Sequence, residues 1–178
     1  MDLTPAELTV LGLLIERPGH GYDIERVVEE RGIRQWADLG FSSIYYLLNK
    51  LQAKGCVESE PGPSSRSRRV YSATERGRRA AVEAAVAAIG DPAPLRPPLL
   101  VGLANLPLLT GEQVAAAFDE RRRRLDERIR AVEAARRAQG PLPPFVDSIF
   151  TYSLSLLGAE RQWLDESGPA GARRDAEG

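Results

Sequence analysis

Two short runs of strand-forming residues, at 56–60 and 69–72, constrain this chain more than any other feature. The eight residues between them, 61–68, are polar and rich in Pro, Gly and Ser, so the two runs read as one β-hairpin. An isolated two-stranded hairpin is not stable in water, so this one must lie on a helix. The segment just before it supplies one. Residues 42–54 carry Ile44, Leu47, Leu48 and Leu51 at helical spacing and stop at Gly55.

The neighbouring segments are helical too. Thr4 is an N-cap, Pro5 suits a first turn, and Glu7 completes a capping box. Leu8, Leu11 and Ile15 then repeat at helical spacing, with Val10 and Leu14 widening the apolar face, until residues 18–21 turn the chain. A second helix spans 22–31, with Ile24, Val27 and Val28 inward, and stops at Gly32. A connector over 32–40 carries Trp36 and Leu39. After the hairpin, Thr74 caps a helix over 75–89.

Gly90, Pro92, Pro94, Pro97 and Pro98 mark a boundary. Residues 99–109 form a short apolar helix or turn region. A long helix then reaches residue 139, with Val114, Phe118, Leu125, Ile129 and Val132 as its apolar positions. Phe118, Leu125 and Val132 recur every seven residues, which favours packing along another helix. Residues 140–144 break it. A last helix over 144–166 sets Phe145, Ile149, Tyr152, Leu156 and Trp163 on one side. These ten apolar residues are the expected dimer interface. The fold expected is mainly α with one β-hairpin: a winged helix-turn-helix at 1–90, a helical dimerisation and effector region at 91–166, and a disordered tail at 167–178.

Charge is distributed more tellingly than its total of -1 suggests. Residues 1–60 hold six Lys/Arg and ten Asp/Glu, for -4, whereas residues 61–80 hold six Arg and one Glu, for +5. Local potential, not net charge, steers a polyanion. The helix over 42–54 has the parts to meet one. Ser42 and Ser43 lie at its start, where free backbone N–H groups favour a phosphate. Tyr45, Tyr46, Asn49 and Lys50 can hydrogen-bond to bases or backbone. The hairpin loop adds Ser64, Ser65, Arg66, Ser67, Arg68 and Arg69. Thr4 and Tyr22, at the starts of the first two helices, complete the candidate DNA contacts.

Other functions find little support. Cys56 is the only cysteine and His20 the only histidine. No intrachain disulfide or cysteine-based metal cluster can form. There is no nucleophile elbow, phosphate loop or Ser/His/Asp set, so an enzyme is not expected, nor a metal or cofactor. His20 reads as a turn or helix-entry residue and Cys56 as a packed thiol. Arg121, Arg122, Arg123 and Arg124 have acidic neighbours at helical spacing and read as a solvated face. Tyr152 and Trp163 suit a core or interface better than an effector pocket. With no apolar run long enough for a bilayer and no signal-peptide pattern, the chain reads as soluble and cytoplasmic.

Three stretches resemble the PadR family of winged-helix transcriptional regulators: LTVLGLLIERPGHGYDI from Leu8, SIYYLLNKLQAKGCV from Ser43, and RRVYSATERG from Arg68. Their order and spacing agree with the family as well. Cys56 stands where that family usually has Leu, and Ala73 where it has a larger aliphatic residue. The resemblance implies a homodimer on a pseudo-palindromic operator of double-stranded DNA, with repression frequent and release by a small-molecule effector open. It places DNA contacts at Tyr45 and its neighbours and makes the hairpin the wing. The competing reading is a winged-helix module that holds another protein without binding DNA. The polar third helix and arginine-rich loop weigh against it.

Overall fold

A computed structural model describes residues 2–37, 39–40, 43–61, 69–92 and 97–167. The chain divides into two compact units, residues 1–94 and 95–178.

The first unit runs α1 (Pro5–Glu16), α2 (Gly21–Glu30), α3 (Ser43–Ala53), β1 (Val57–Glu60), β2 (Val70–Ala73) and α4 (Glu75–Gly90). A 3-10 turn at Ile33–Gln35 lies between α2 and α3. The strands pair antiparallel, Val57 opposite Ala73 and Glu60 opposite Val70. A third partner comes from the turn between α1 and α2, where Gly19 and Tyr71 exchange backbone hydrogen bonds of 3.1 and 2.9 Å. The hairpin is thus anchored, as its marginal stability requires.

One apolar core holds the unit together. Val10, Leu11 and Leu14 of α1 meet Ile24 and Val28 of α2 and the stripe Ile44, Leu47, Leu48 and Leu51 of α3. Cys56, Val57 and Tyr71 close it from the hairpin, and Ala80 and Ala81 from α4. In the connector, Ile33, Ala37 and Leu39 are buried while Trp36 is half exposed. The α1 face differs from the sequence reading. Its buried line runs through Glu7, Val10, Leu11 and Leu14, and Leu8 and Ile15 lie at its margins. The strands also begin one residue later than the pattern suggests. Cys56 instead closes α3, its N–H donating to the Leu51 carbonyl at 2.9 Å.

The start of α4 is pressed onto that same corner. The Thr74 hydroxyl accepts from the Gly77 N–H at 3.0 Å and donates to the Gly55 carbonyl at 2.8 Å. The Thr74 N–H donates to the Cys56 carbonyl at 3.0 Å. So close is the approach that a Cβ on Gly77 would lie 2.9 Å from the Cys56 carbonyl carbon and closer still to its oxygen. Only glycine fits there, because the obstacle is backbone and cannot rotate away.

The second unit holds α5 (Pro98–Ala104), a 3-10 turn (Leu106–Leu108), α6 (Gly111–Ala138) and α7 (Pro144–Ser167). Thr110 and Gln113 form a reciprocal capping box at the start of α6. The pairs Arg136–Asp147, Asp126–Arg161 and Phe118–Trp163 step outward from the intervening turn, so α6 and α7 run antiparallel. Leu125 and Leu164 are buried between them. Ser167 is the last residue of α7, and the rest of the expected tail lies outside the described residues. Among the described residues, no helix is long and apolar enough to cross a membrane.

Gly77→Ala should destabilise the first unit by roughly 1–3 kcal/mol or more, as overpacking against fixed backbone does. Denaturant unfolding followed by circular dichroism measures this. A variant as stable as wild type would contradict the close approach.

Candidate nucleic-acid interface

Burial divides α3 into two faces. Ile44, Leu48 and Leu51 are at most 1% exposed, whereas Tyr45 is 54% and Tyr46 61% exposed. Asn49 and Lys50 share that outer side. The Lys50 ammonium sits 5.5 Å from the centre of the Tyr46 ring, a cation–π arrangement that presents both to solvent together. Tyr45 leans on α2. A Cβ on Gly21 would lie 2.6 Å from Tyr45 Cε1, so the bare backbone there is what seats the ring. Ser43 turns inward to its own loop, its hydroxyl donating to the Gly40 carbonyl at 2.6 Å. Ser42 lies outside the described residues.

The C-terminal half of α3 is held from beneath by a buried carboxylate. Glu7 is fully buried. Its Oε2 accepts from Lys54 Nζ at 2.8 Å and from the Thr4 N–H at 2.7 Å. Its Oε1 lies 3.6 Å from Lys50 Nζ and has no hydrogen-bond partner. Lys54 also donates to the Asp2 carbonyl at 2.9 Å. Burial alone would raise the Glu7 pKa. The Lys54 and Thr4 hydrogen bonds and the charges of Lys54 and Lys50 outweigh it, holding the carboxyl below its ordinary 4.5. Both lysines also sit in or just beyond the last turn of α3, where positive charge suits the helix dipole.

Arg34 fixes the approach to α3. It pairs with Glu25 and with Glu29 at 2.6 Å, and donates to the Leu39 carbonyl. Thr4 and Tyr22 are exposed, and the Thr4 hydroxyl accepts from the Glu7 N–H at 3.2 Å. At the base of the hairpin Arg69 is exposed, and no ion pair engages it among the described residues. Its carbonyl accepts from His20 Nδ1 at 3.0 Å. Ser64, Ser65, Arg66, Ser67 and Arg68 lie outside the described residues.

In the second unit the candidate interface residues separate. Leu125 is buried within its own chain, and the Phe118 and Trp163 rings pack 6.1 Å apart between α6 and α7. Val114, Ile129, Val132 and Ile149 are partly buried. Phe145, Tyr152 and Leu156 remain 70%, 68% and 53% exposed. The arginine run is paired throughout: Arg121 with Glu160, Arg122 with Asp119 and Asp165, Arg123 with Glu120 and Glu127, Arg124 with Glu120. Hydrogen bonds from Arg123 and Arg124 pull the Glu120 pKa down to about 2. A cleft of about 490 Å³ opens at the α6–α7 turn, lined by Arg136, Arg137 and Asp147 among others, but not by Tyr152 or Trp163. Cys56 is fully buried, and burial pushes its thiol pKa up, away from the reactive thiolate.

Three residues carry more than their sequence reading allowed. Glu7 read as a cap residue alone, yet it lies on the line of Val10, Leu11 and Leu14. A lone acid on a buried stripe is a signal that it must find cations. His20 and Arg34 act through partners that no local pattern announces.

Residues 10–83 match the transcriptional regulator PadR-like family. No curated protein matches the chain. Among solved structures, the chain is similar to Bacillus subtilis PadR in complex with operator DNA, with 18% identity, a TM-score of 0.72, and 90% of this chain and 95% of that one covered. It is similar to the same protein in complex with p-coumaric acid, at 16% identity and a TM-score of 0.72, over 93% and 96% of the two chains. It is also similar to the Vibrio cholerae virulence activator AphA, at 20% identity and a TM-score of 0.72, over 97% and 99%. At these identities the likeness is one of fold.

Because the Glu7 carboxyl is lowered in the folded state, its contribution to stability is present above pH 4.5 and is lost as pH falls through the folded value. Glu7→Gln should cost about 2 kcal/mol at pH 7, in line with a hydrogen bond to a charged group. It should also flatten the loss of stability below pH 4.5. Urea melts across pH 3–7 check both expectations. Parallel pH profiles for the two proteins would refute the clamp.

Proposed function

We propose that the protein is a sequence-specific DNA-binding repressor of the PadR-like family of transcriptional regulators, a reading supported by the match of residues 10–83 to that family. It acts in the cytoplasm as a homodimer on a pseudo-palindromic operator. The observation that carries this reading is the outward face of α3. Tyr45, Tyr46, Asn49 and Lys50 stand exposed on a helix whose opposite side is locked into the core. A helix so presented fits a major groove, where hydrogen-bonding side chains distinguish base pairs. Arg69, at the foot of the hairpin, supplies positive charge for the phosphate backbone. Arg66 and Arg68 extend that charge in the sequence.

The homodimer rests on α7. Phe145, Tyr152 and Leu156 recur at helical spacing along one side and stay exposed in the single chain. Large apolar groups aligned on one helix face suit a second copy of the same helix. Two recognition helices held this way meet successive major grooves about one helical turn apart. Such a dimer represses by occupying DNA that polymerase needs. The V. cholerae relative is described as a virulence activator, and the repressor reading for this chain rests on the occlusion argument. The p-coumaric acid complex of the B. subtilis protein supports a small-molecule effector as the release signal. An effector acts only through unequal affinity for the bound and released conformations.

The test is fluorescence anisotropy with a labelled duplex from upstream of the protein's own gene, over a salt series. Wild type should bind with a steep negative salt slope. Arg66, Arg68 and Arg69 changed together to Ala should reduce that slope by about 2–3, roughly 0.9 for each phosphate no longer neutralised. An unchanged affinity and slope would exclude the wing from the interface.

A further inference from the structure

We infer that His20 is a positioning residue that couples the wing to the recognition helix. This rests on the DNA-binding reading above. Three observations converge on one short turn. First, the His20 ring donates from Nδ1 to the Arg69 carbonyl at 3.0 Å, across 49 residues of sequence. A carbonyl only accepts, so the ring hydrogen sits on Nδ1. Second, the preceding residue, Gly19, pairs with Tyr71 through two backbone hydrogen bonds, an isolated bridge that ties the turn to β2. Third, the following residue, Gly21, is the seat of the Tyr45 ring, which a Cβ there would meet at 2.6 Å.

His20 also begins α2. Its N–H donates to Asp23 Oδ2 at 3.0 Å, and its carbonyl accepts from the N–H groups of Asp23 and Ile24 at 3.0 and 3.2 Å. Its backbone is therefore fixed by the helix, and only its side chain reaches the wing. Residues 19–21 thus grip β2 on one side and the outward face of α3 on the other. The His20 side chain makes the outermost of these links, at the residue whose own side chain, Arg69, carries exposed charge. Without it, the Gly19–Tyr71 pair is left as the link between this turn and β2 and opens more often, and no other hydrogen bond among the described residues ties Arg69 to the start of α2. The loss falls on the placement of the wing and not on the core, which His20 does not join.

The experiment compares His20→Ala, His20→Gln and His20→Asn with wild type. An Asn amide places a donor near the Nδ1 position, whereas Gln carries it farther out. His20→Ala and His20→Gln should bind the labelled upstream duplex about 3- to 10-fold more weakly, the worth of one hydrogen bond. Their salt slopes should be shallower, as for Arg69→Ala, because a displaced wing neutralises fewer phosphates. His20→Asn should stay within about 2-fold of wild type. Amide hydrogen exchange gives a readout independent of DNA: the Tyr71 N–H should exchange faster in the Ala and Gln variants and not in the Asn variant.

Equal losses in all three variants would overturn the hydrogen-bond assignment. So would wild-type affinity and exchange in His20→Ala. A weaker affinity with an unchanged salt slope and a lowered melting temperature would make His20 merely structural, and would also overturn the proposal. A wild-type chain that binds no duplex fails earlier, at the DNA-binding reading, and the inference about coupling fails with it.

Discussion

The insertion of Ile44, Leu47, Leu48 and Leu51 into the core fixes everything that α3 can present to a partner. Helical geometry sets side chains about 100° apart, so burying these four leaves Tyr45, Tyr46, Asn49 and Lys50 no orientation but outward. Burial of each large aliphatic side chain contributes about 1.5–3 kcal/mol, which far exceeds what any rotation of the helix could recover. The backbone that carries the polar face is therefore fixed by the core beneath it. Pre-organisation of this kind lowers the cost of ordering an interface on binding.

Around that stripe, charge does what apolar packing cannot. Glu7 is a fully buried acid in the first unit, and it is tolerable there because Lys54 and Thr4 hydrogen-bond its Oε2 and the Lys50 ammonium lies 3.6 Å from its Oε1. The carboxylate ties the end of α3 to the start of α1. It also draws Lys50 partway inward, while the Tyr46 ring holds the same ammonium toward solvent. Lys50 thus stands between a buried anion and the surface. On the proposed DNA-binding reading, a phosphate at that surface competes with Glu7 for it. The hairpin follows the same logic at lower energy: backbone pairing with Gly19 and a single side-chain link from His20 hold an element that cannot stand alone.

Much of this was legible in the sequence, and the exceptions have physical reasons. The stripe of α3, the caps at Thr4 and Thr74, and the hairpin all announce themselves through local spacing. The α1 face did not, because residues 8–15 are apolar nearly all round and periodicity alone selects no side. Glu7 settles it, since a buried acid with two lysine partners orients the helix. The link from His20 to Arg69 spans 49 residues and leaves no local trace. The seven-residue repeat of α6 was readable as helix pairing, but a repeat cannot say whether the partner helix belongs to the same chain. For Leu125 and Phe118 it does, through α7; Phe145, Tyr152 and Leu156 are left facing outward.

The central claim is that the outward side of α3 enters the major groove, twice per dimer. Dimethyl sulfate protection tests it most directly, because the reagent methylates guanine N7, which lies in that groove. With the protein bound to its upstream duplex, protected guanines should fall in two segments whose centres lie about 10 base pairs apart on one face. Protection confined to adenine N3 in the minor groove, or no protection at saturating protein, would contradict the account.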